Sequence, residues 1–538
     1  MKRRDFLRTS SVAAVSGHLA KAQTADQRNR WVRTAESLKP RLQETSRKPV
    51  SVVRAVQDPS RVLRWRMEDV SPAAEMRNRP MRAGDSVVID FGEHLTGRVA
   101  FGIDGEGRGV DAPARLRLTF GEVPAEVAEP LDPYKGMLSR AWLQDEILNI
   151  DALPAEIRMP RRYAFRYVKF DVIATSPNFG VRLRDLRATA LTSATGTIQP
   201  LPAGASDELR RIDAVSVRTL RDCMQTVFED GPKRDRRLWI GDLRLQALTN
   251  YATFKNYDLV KRCLYLFAGL PREDGLVSAC VFEDPAPKRG HEYIVDYAAL
   301  YGASVLDYAR ASNDWAAAKE LWPVVRRQLE ILRAYVGTDG LFSAPKDFWV
   351  FIDWSRELDR TAAMHGVYVF ALQSALELAR QVGAASDAKE YQGLIALMTE
   401  AARRTFFDPD RRLFISGATR QVSWATQAWM VLSEIATAEQ GRDALRAVTS
   451  SADAVRPGAP YLYHYVVEAM LKCGMKREAI ELIQSYWGGM VKAGADTFWE
   501  VWDPANPAMS PYGNVQVNSY CHAWSCTPAY LLRTPGLV

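Results

Sequence analysis

The chain changes its rhythm near residue 200. Before that point apolar and polar positions alternate with period two. Arg115-Leu116-Arg117-Leu118-Thr119-Phe120, Phe165-Arg166-Tyr167-Val168-Lys169-Phe170 and Val181-Arg182-Leu183-Arg184-Asp185-Leu186 are the clearest runs. Ser86-Val87-Val88-Ile89-Asp90-Phe91 leads through Gly92 to Arg98-Val99-Ala100-Phe101. Alternation with short Gly, Pro and Asp breaks predicts an antiparallel β-sandwich over 85–197, with one face on a core and one in water. Residues 23–84 read as an N-terminal extension and linker to it.

Pro200, Pro202 and Gly204 mark a boundary, and Ser206 or Asp207 offers an N-cap for a helix carrying Leu209, Ile212, Leu220 and Met224 on one side. From here the period is helical almost to the end. The spacing predicts helices near 206–226, 242–256, 294–311, 315–336, 361–382, 386–404, 423–436, 460–473, 476–487 and 515–532. Several, such as Val367 through Leu378, are apolar on more than one side, which places them between other helices. The helices come in pairs without a solenoid consensus. A closed ring of helical hairpins over 198–538 fits this pattern, with the links between helices forming the pocket.

Composition narrows the class of protein. The 538 residues are 47% hydrophobic and 25% charged, an ordinary globular balance. Six cysteines cannot staple a chain of this length. The net charge is +7, but residues 1–22 hold Lys2, Arg3, Arg4, Arg8 and Lys21 against Asp5, which leaves only +3 for the rest. A nucleic-acid partner would need a concentrated basic patch, so none is expected. Arg3-Arg4-Asp5-Phe6-Leu7, the mildly apolar run Ser11–Ala20 and the small-x-small site Ala20-Lys21-Ala22 resemble a twin-arginine export signal. That run is too short to cross a bilayer, and no later stretch is long enough. The expected mature protein is therefore soluble and periplasmic or secreted, with its cysteines either free or paired.

The links between predicted helices carry carboxylates and tryptophans, and most of the 14 Trp lie from Trp239 onward. Asp230-Gly231-Pro232-Lys233-Arg234-Asp235-Arg236-Arg237-Leu238-Trp239-Ile240-Gly241-Asp242 holds three acids in a link that ends at a helix start. Asp242 suits an N-cap, and the arginines suit a surface ion network. Ala495-Asp496-Thr497-Phe498-Trp499-Glu500-Val501-Trp502 sets a carboxylate among aromatics, which is costly to bury unless it is paired or its pKa is tuned. Alternatively Glu500 points to water from an aromatic core. Trp349 through Trp354 places Asp353 between aromatics, and Asn518 through Trp524 places His522 in an apolar run, where a histidine is more often a satisfied core residue.

Together these residue types suit sugar chemistry. Carboxylates accept hydrogen bonds from pyranose hydroxyls, and the C–H faces of the ring pack on Trp. Cleaving a glycosidic bond takes two carboxyl groups on opposite sides of it. Other chemistries lack their motifs. His291-Glu292 has no second His at Val295, and there is no CxxC pair, Gly-rich phosphate loop or GxSxG elbow. No metal or cofactor is expected.

The four clusters, in this order behind a β-domain, resemble glycoside hydrolase family 78, the α-L-rhamnosidases, over about residues 85–535. The resemblance implies an N-terminal antiparallel β-sandwich followed by an (α/α)6 barrel catalytic domain, and exo-acting, inverting removal of terminal α-L-rhamnose from a glycan or glycoside. It implies Glu500 as the general base that activates water. Asp230, Asp242 and Arg234 are implied in substrate binding, with Asp353. Trp239, Trp354 and Trp499 correspond to aromatic walls, and His522 to a pocket histidine.

The departure from the family lies at the general acid. The common form is D-C-P-x-R-D-E-R-x-x-W-x-G-D, with Glu as the donor. Here Gly231 replaces the Cys, one residue is missing before Trp239, and Asp235 is the only carboxylate between the flanking motif residues. Asp235 takes the donor role, with about 1.5 Å less reach than Glu. A subgroup of the family shares this K-R-D-R form. Many relatives also continue into a C-terminal β-domain, which is expected to be absent after Val538. The alternatives are another glycosidase, a polysaccharide lyase on the same barrel using Arg234 or Lys346 with His522 or Tyr520, and a non-catalytic sugar-binding protein.

Overall fold

The computed structural model describes residues 24–346 and 348–538. The export signal expected at 1–22 lies outside the described residues.

The period-two runs form an antiparallel sheet of nine strands: β1 (Gln43–Arg47), β2 (Ser51–Gln57), β3 (Trp65–Pro72), β4 (Ser86–Gly107), β5 (Ala114–Gly121), β6 (Asp145–Ile150), β7 (Ala155–Arg158), β8 (Tyr163–Ala174) and β9 (Phe179–Thr192). Along the main path the order is β1-β9-β4-β8-β5-β6. The long β4 changes partners along its length, pairing with β2, β7, β8 and β9. Alternate residues of these strands, among them Ile89, Phe101, Leu116, Leu118, Phe165, Phe170, Val181 and Leu183, share one core. Their neighbours Arg182 and Arg184 pair outside it with Glu106 and Asp104. The sheet begins earlier than the alternation suggested, because β1, β2 and β3 lie inside 23–84.

That stretch also contributes to the helical layer. Its helix Ala25–Ser37 buries Trp31 against Tyr257–Gly269, and the Trp31 indole donates to Glu320 at 2.8 Å. Residues 24–84 thus contribute elements to both domains: a helix to the helical layer and three strands to the sheet.

The helical domain is a ring. The inner helices Ile240–Ala252, Tyr301–Ser312, Thr361–Val382, Trp424–Leu432 and Pro460–Lys472 each pack on the next, and the short helix Pro528–Leu531 closes onto the first. Outside them lie Asp207–Cys223, Tyr257–Gly269, Trp315–Arg333, Ala385–Phe406, Ala438–Ser450 and Lys476–Lys492. Inner helices are buried on all sides, as every residue of Trp424–Leu432 shows. Outer helices bury one stripe, as Gly441, Ala444, Leu445 and Val448 do in Ala438–Ser450.

Two helices of the ring, Tyr257–Gly269 and Ala438–Ser450, fall outside the expected set, as do Ala25–Ser37 and Pro124–Ala128 upstream of it. A further difference is 515–532, predicted as a helix. It forms two 3-10 turns, Val515–Val517 and Ala523–Ser525, before Pro528–Leu531. Before Thr527 its backbone bonds go elsewhere. Ser519 accepts from the Glu500 N–H, and Ala523 donates to Asp230 at 2.7 Å, so the i→i−4 bonds begin only with Leu531 to Thr527.

Candidate active site

Four links between helices meet at one end of the ring. They enclose a cavity of about 270 Å³. Of the residues the family resemblance singled out, all line it except Asp353 and Trp499; Lys346 and Tyr520, the further residues of the lyase alternative, do not line it either.

The first link, 230–237, is closed by Asp230. One carboxylate oxygen accepts the Arg237 N–H at 3.1 Å and the other accepts the Asp235 N–H at 3.3 Å. The Arg236 N–H reaches the Gly231 carbonyl at 3.2 Å. A Cβ at Gly231 would stand 2.5 Å from the Arg234 carbonyl oxygen and 3.0 Å from Ser519 Oγ. The shortened link therefore has no room for the family's Cys.

The chain then passes through Trp239 into the helix Ile240–Ala252. Asp242 is not its N-cap, which is Trp239; it sits inside the first turn. Its Oδ1 accepts from the Tyr297 hydroxyl at 3.4 Å, and its Oδ2 has no partner. Gly241 permits this contact, since a Cβ there would lie 2.3 Å from the Tyr297 ring.

The link 349–354 is held by Asp296. That buried carboxylate accepts the N–H groups of Phe351 at 2.8 Å and Ile352 at 3.0 Å. Phe351 then packs on Trp354 and Trp524, and Trp354 packs edge-on against Tyr512. Asp353 turns away from the cavity and accepts the Gly458 N–H at 2.5 Å; burial pushes its carboxyl up to about 7. It shapes the link and does not line the pocket. Trp499 is 1% exposed and packs on Trp502 and Tyr520, so it too is core rather than wall.

Glu500 is pinned from several sides. Its backbone N–H donates to the Ser519 carbonyl at 3.0 Å, and its own carbonyl accepts from the Trp524 indole at 3.0 Å. Its carboxylate takes hydrogen bonds from Arg234 at 2.5 Å, from the Tyr512 hydroxyl, and from the Ser519 N–H at 3.3 Å. Burial opposes its charge, but Arg234, His522 and these hydrogen bonds outweigh burial and hold the carboxyl below its usual range.

Arg234 spans the centre of the site. Its Nη2 holds Glu500 and its Nη1 lies 3.2 Å from Asp235 Oδ1, while its Nε donates to the Val517 carbonyl at 2.9 Å. The plane of the guanidinium packs on Tyr512, 4.3 Å from the ring centre. Asp235 and Glu500 therefore stand a guanidinium width apart, with one hydrogen bond on either side. The expected surface ion network is instead a buried one at this residue.

Two further acids, Asp230 and Asp242, are shifted toward the protonated form. Burial and the nearby Asp235 push Asp230 up to about 8, and burial with the charges of Asp230 and Glu500 pushes Asp242 well above its ordinary value. Burial also drives His522 down to about 4. Among the described residues, four polar atoms on cavity side chains have no hydrogen-bond partner: Asp242 Oδ2, His522 Nδ1, Trp239 Nε1 and Trp354 Nε1, the first two 3.9 Å from each other.

Several lining residues escaped the sequence reasoning. Leu138 and Trp142 come from a loop of the β-domain, far upstream in the chain. Tyr512 lies in an irregular segment rich in Pro and Gly. Tyr297 and Phe351 look like ordinary core residues by period. Trp524 was visible as the end of the Asn518–Trp524 run.

Comparison with known proteins matches two family models. Residues 49–190 match the glycosyl hydrolase family 78 alpha-rhamnosidase N-terminal domain, and residues 203–534 match the bacterial alpha-L-rhamnosidase 6 hairpin glycosidase domain. Among solved structures, a rhamnosidase from Klebsiella oxytoca with rhamnose bound is similar at 46% identity and a TM-score of 0.91, covering 94% of this chain and 98% of that one. A family 78 rhamnosidase of Bacillus sp. GL1 shares the fold at 21% identity and a TM-score of 0.72, covering 87% of this chain and 49% of its own. A Streptomyces avermitilis alpha-L-rhamnosidase complexed with L-rhamnose shares it at 14% identity and a TM-score of 0.64, covering 92% and 44%. No curated protein matches the chain significantly.

Proposed function

The chain belongs to glycoside hydrolase family 78, and on that basis we propose that it is an exo-acting, inverting α-L-rhamnosidase with Asp235 as general acid and Glu500 as general base. The observation that carries this is the single cavity in which both carboxylates flank Arg234 beside buried polar atoms that have no partner. Unpaired buried donors and acceptors are costly, and a ligand rich in hydroxyls relieves that cost. Burial shifts Asp230 and Asp242 toward the protonated form, which suits such a ligand because a protonated carboxyl can both donate and accept. Trp239 and Trp354 offer apolar surface to the ring and its 6-deoxy methyl group.

In the proposed reaction the two carboxyl groups take different parts. Asp235 gives its proton to the glycosidic oxygen as the bond from that oxygen to the anomeric carbon breaks. A water attacks the opposite face and passes a proton to the Glu500 carboxylate, which Arg234 and Tyr512 keep ionised. The released sugar has the inverted configuration. An inverting pair is expected to stand about 6.5–9.5 Å apart, against about 5–5.5 Å in a retaining pair; here Arg234 bridges the two carboxylates and keeps them from direct contact. The similar Klebsiella oxytoca protein, with rhamnose bound, supports L-rhamnose as the sugar.

Residues 1–22 direct export by the twin-arginine route in this account, so the substrate is met outside the cytoplasm. Fractionation of cells expressing the full chain and an Arg3→Lys, Arg4→Lys variant checks this. Activity is tested with an aryl α-L-rhamnoside: steady release of aglycone is expected, and no release by folded protein contradicts the proposal.

A further inference from the structure

The four residues Lys233-Arg234-Asp235-Arg236 contact two different parts of the molecule. Arg234 and Asp235 line the cavity. Lys233 and Arg236 reach into the β-domain instead. The Lys233 side chain is 2% exposed, with Nζ 2.6 Å from Glu126 and 3.2 Å from Glu122. Arg236 donates to the Arg162 carbonyl at 3.0 Å, and the Arg162 guanidinium in turn forks onto Glu229 with two bonds of 2.8 Å. Glu229 immediately precedes Asp230. The β-domain thus grips the link 230–237 on both flanks of the chemical pair.

Glu122 extends the grip to the other wall. It accepts the Tyr520 N–H at 2.8 Å, one residue from Ser519, which donates to Glu500. It also lies 3.1 Å from His94, whose other ring nitrogen is 2.7 Å from Asp222. A buried ionic cluster of this kind is weak evidence for stability, since well-packed apolar residues often serve as well. Its position directly behind a general acid that is one methylene short gives it a different use.

We infer that the β-domain is a working part of the active site: Glu122 and Glu126 acting through Lys233, and Arg162 acting through Arg236, hold the link forward so that the short Asp235 reaches the glycosidic oxygen. Lys233 and Arg236 are positioning residues. The inference rests on Asp235 being the proton donor.

The test uses leaving groups. An alkyl leaving group needs its proton, whereas dinitrophenolate departs without one, so a misplaced donor slows the first and spares the second. Full-length Lys233→Met, Lys233→Arg, Arg236→Met and Asp235→Asn are assayed on alkyl and dinitrophenyl α-L-rhamnosides. The expected result is a fall in kcat of about tenfold or more on the alkyl substrate in Lys233→Met and Arg236→Met, with less than about threefold loss on the dinitrophenyl substrate and KM unchanged. Lys233→Arg recovers most of the loss. Equal losses on both substrates, with Asp235→Asn still selective, overturn the inference and leave the donor assignment standing. Equal losses in Asp235→Asn overturn both. Arg236 grips from the opposite flank, so Arg236→Met carries the test if Lys233→Met does not fold.

Discussion

The Arg234 guanidinium lies 2.5 Å from the Glu500 carboxylate, and both side chains are 3% exposed. A buried carboxylate beside a buried arginine stays ionised far into acid, which is what a general base requires. Replacing Arg234 with Gln removes the largest effect that opposes burial, and the Glu500 carboxyl should titrate at higher pH. The sign is fixed: the base works only when deprotonated, so the acid limb of kcat/KM moves to higher pH. An unmoved acid limb in Arg234→Gln would show that the limb belongs to another group.

Asp230 should set behaviour at the other end of the scale. Its carboxyl is pushed up to about 8, and above that pH it becomes an anion beside Asp235 and Asp242. Charge there opposes the hydrogen bonds that a neutral carboxyl donates. The wild-type kcat/KM is expected to fall with an apparent pKa near 8, and Asp230→Asn should remove that step while weakening binding. A pH–rate profile of the two proteins decides it.

Gly231 explains one departure from the family pattern. Gly231→Cys, which restores the family residue, drives a side chain into the Arg234 carbonyl and Ser519. Because the obstacle is largely backbone, the link must shift. We expect a loss of about 1–3 kcal/mol in stability, seen by denaturant unfolding, together with a drop in kcat. An unchanged kcat would mean that the link tolerates displacement.

Asp296 should matter without touching substrate. It holds two buried N–H groups of the link that carries Phe351 and Trp354. Asp296→Ala orphans both, at about 1–3 kcal/mol for each. Thermal unfolding should come several degrees earlier, and KM should rise more than kcat falls as the aromatic wall loosens. A KM equal to wild type would place that wall outside the binding site.

Much of this architecture was legible in the sequence, because periodicity reports burial on one face. Strands with one wet face alternate cleanly, as Leu116 and Leu118 do between arginines. Helices with one stripe, such as Asp207–Cys223, also read well. Segments whose order comes from partners elsewhere read poorly. Residues 515–527 look helical by spacing, yet they bond to Asp230 and Glu500 from across the site. The candidate acids were visible because carboxylates next to tryptophan are costly without a use. Asp353 and Trp499 share that local pattern, but one holds Gly458 and the other fills core. Local sequence shows that a side chain sits among aromatics and does not show which way it turns. Leu138 and Trp142 carry no local signal, since only the docking of two domains brings them to the cavity.

The central claim is that Asp235 and Glu500 form an inverting pair. Following the anomeric proton by NMR while residues 23–538 hydrolyse an aryl α-L-rhamnoside tests it most directly, with Asp235→Asn and Glu500→Gln alongside. The account predicts β-L-rhamnose as the first product, and turnover lower by about 10²–10⁴ in both variants. First appearance of α-L-rhamnose, or undiminished turnover in Glu500→Gln, would contradict it.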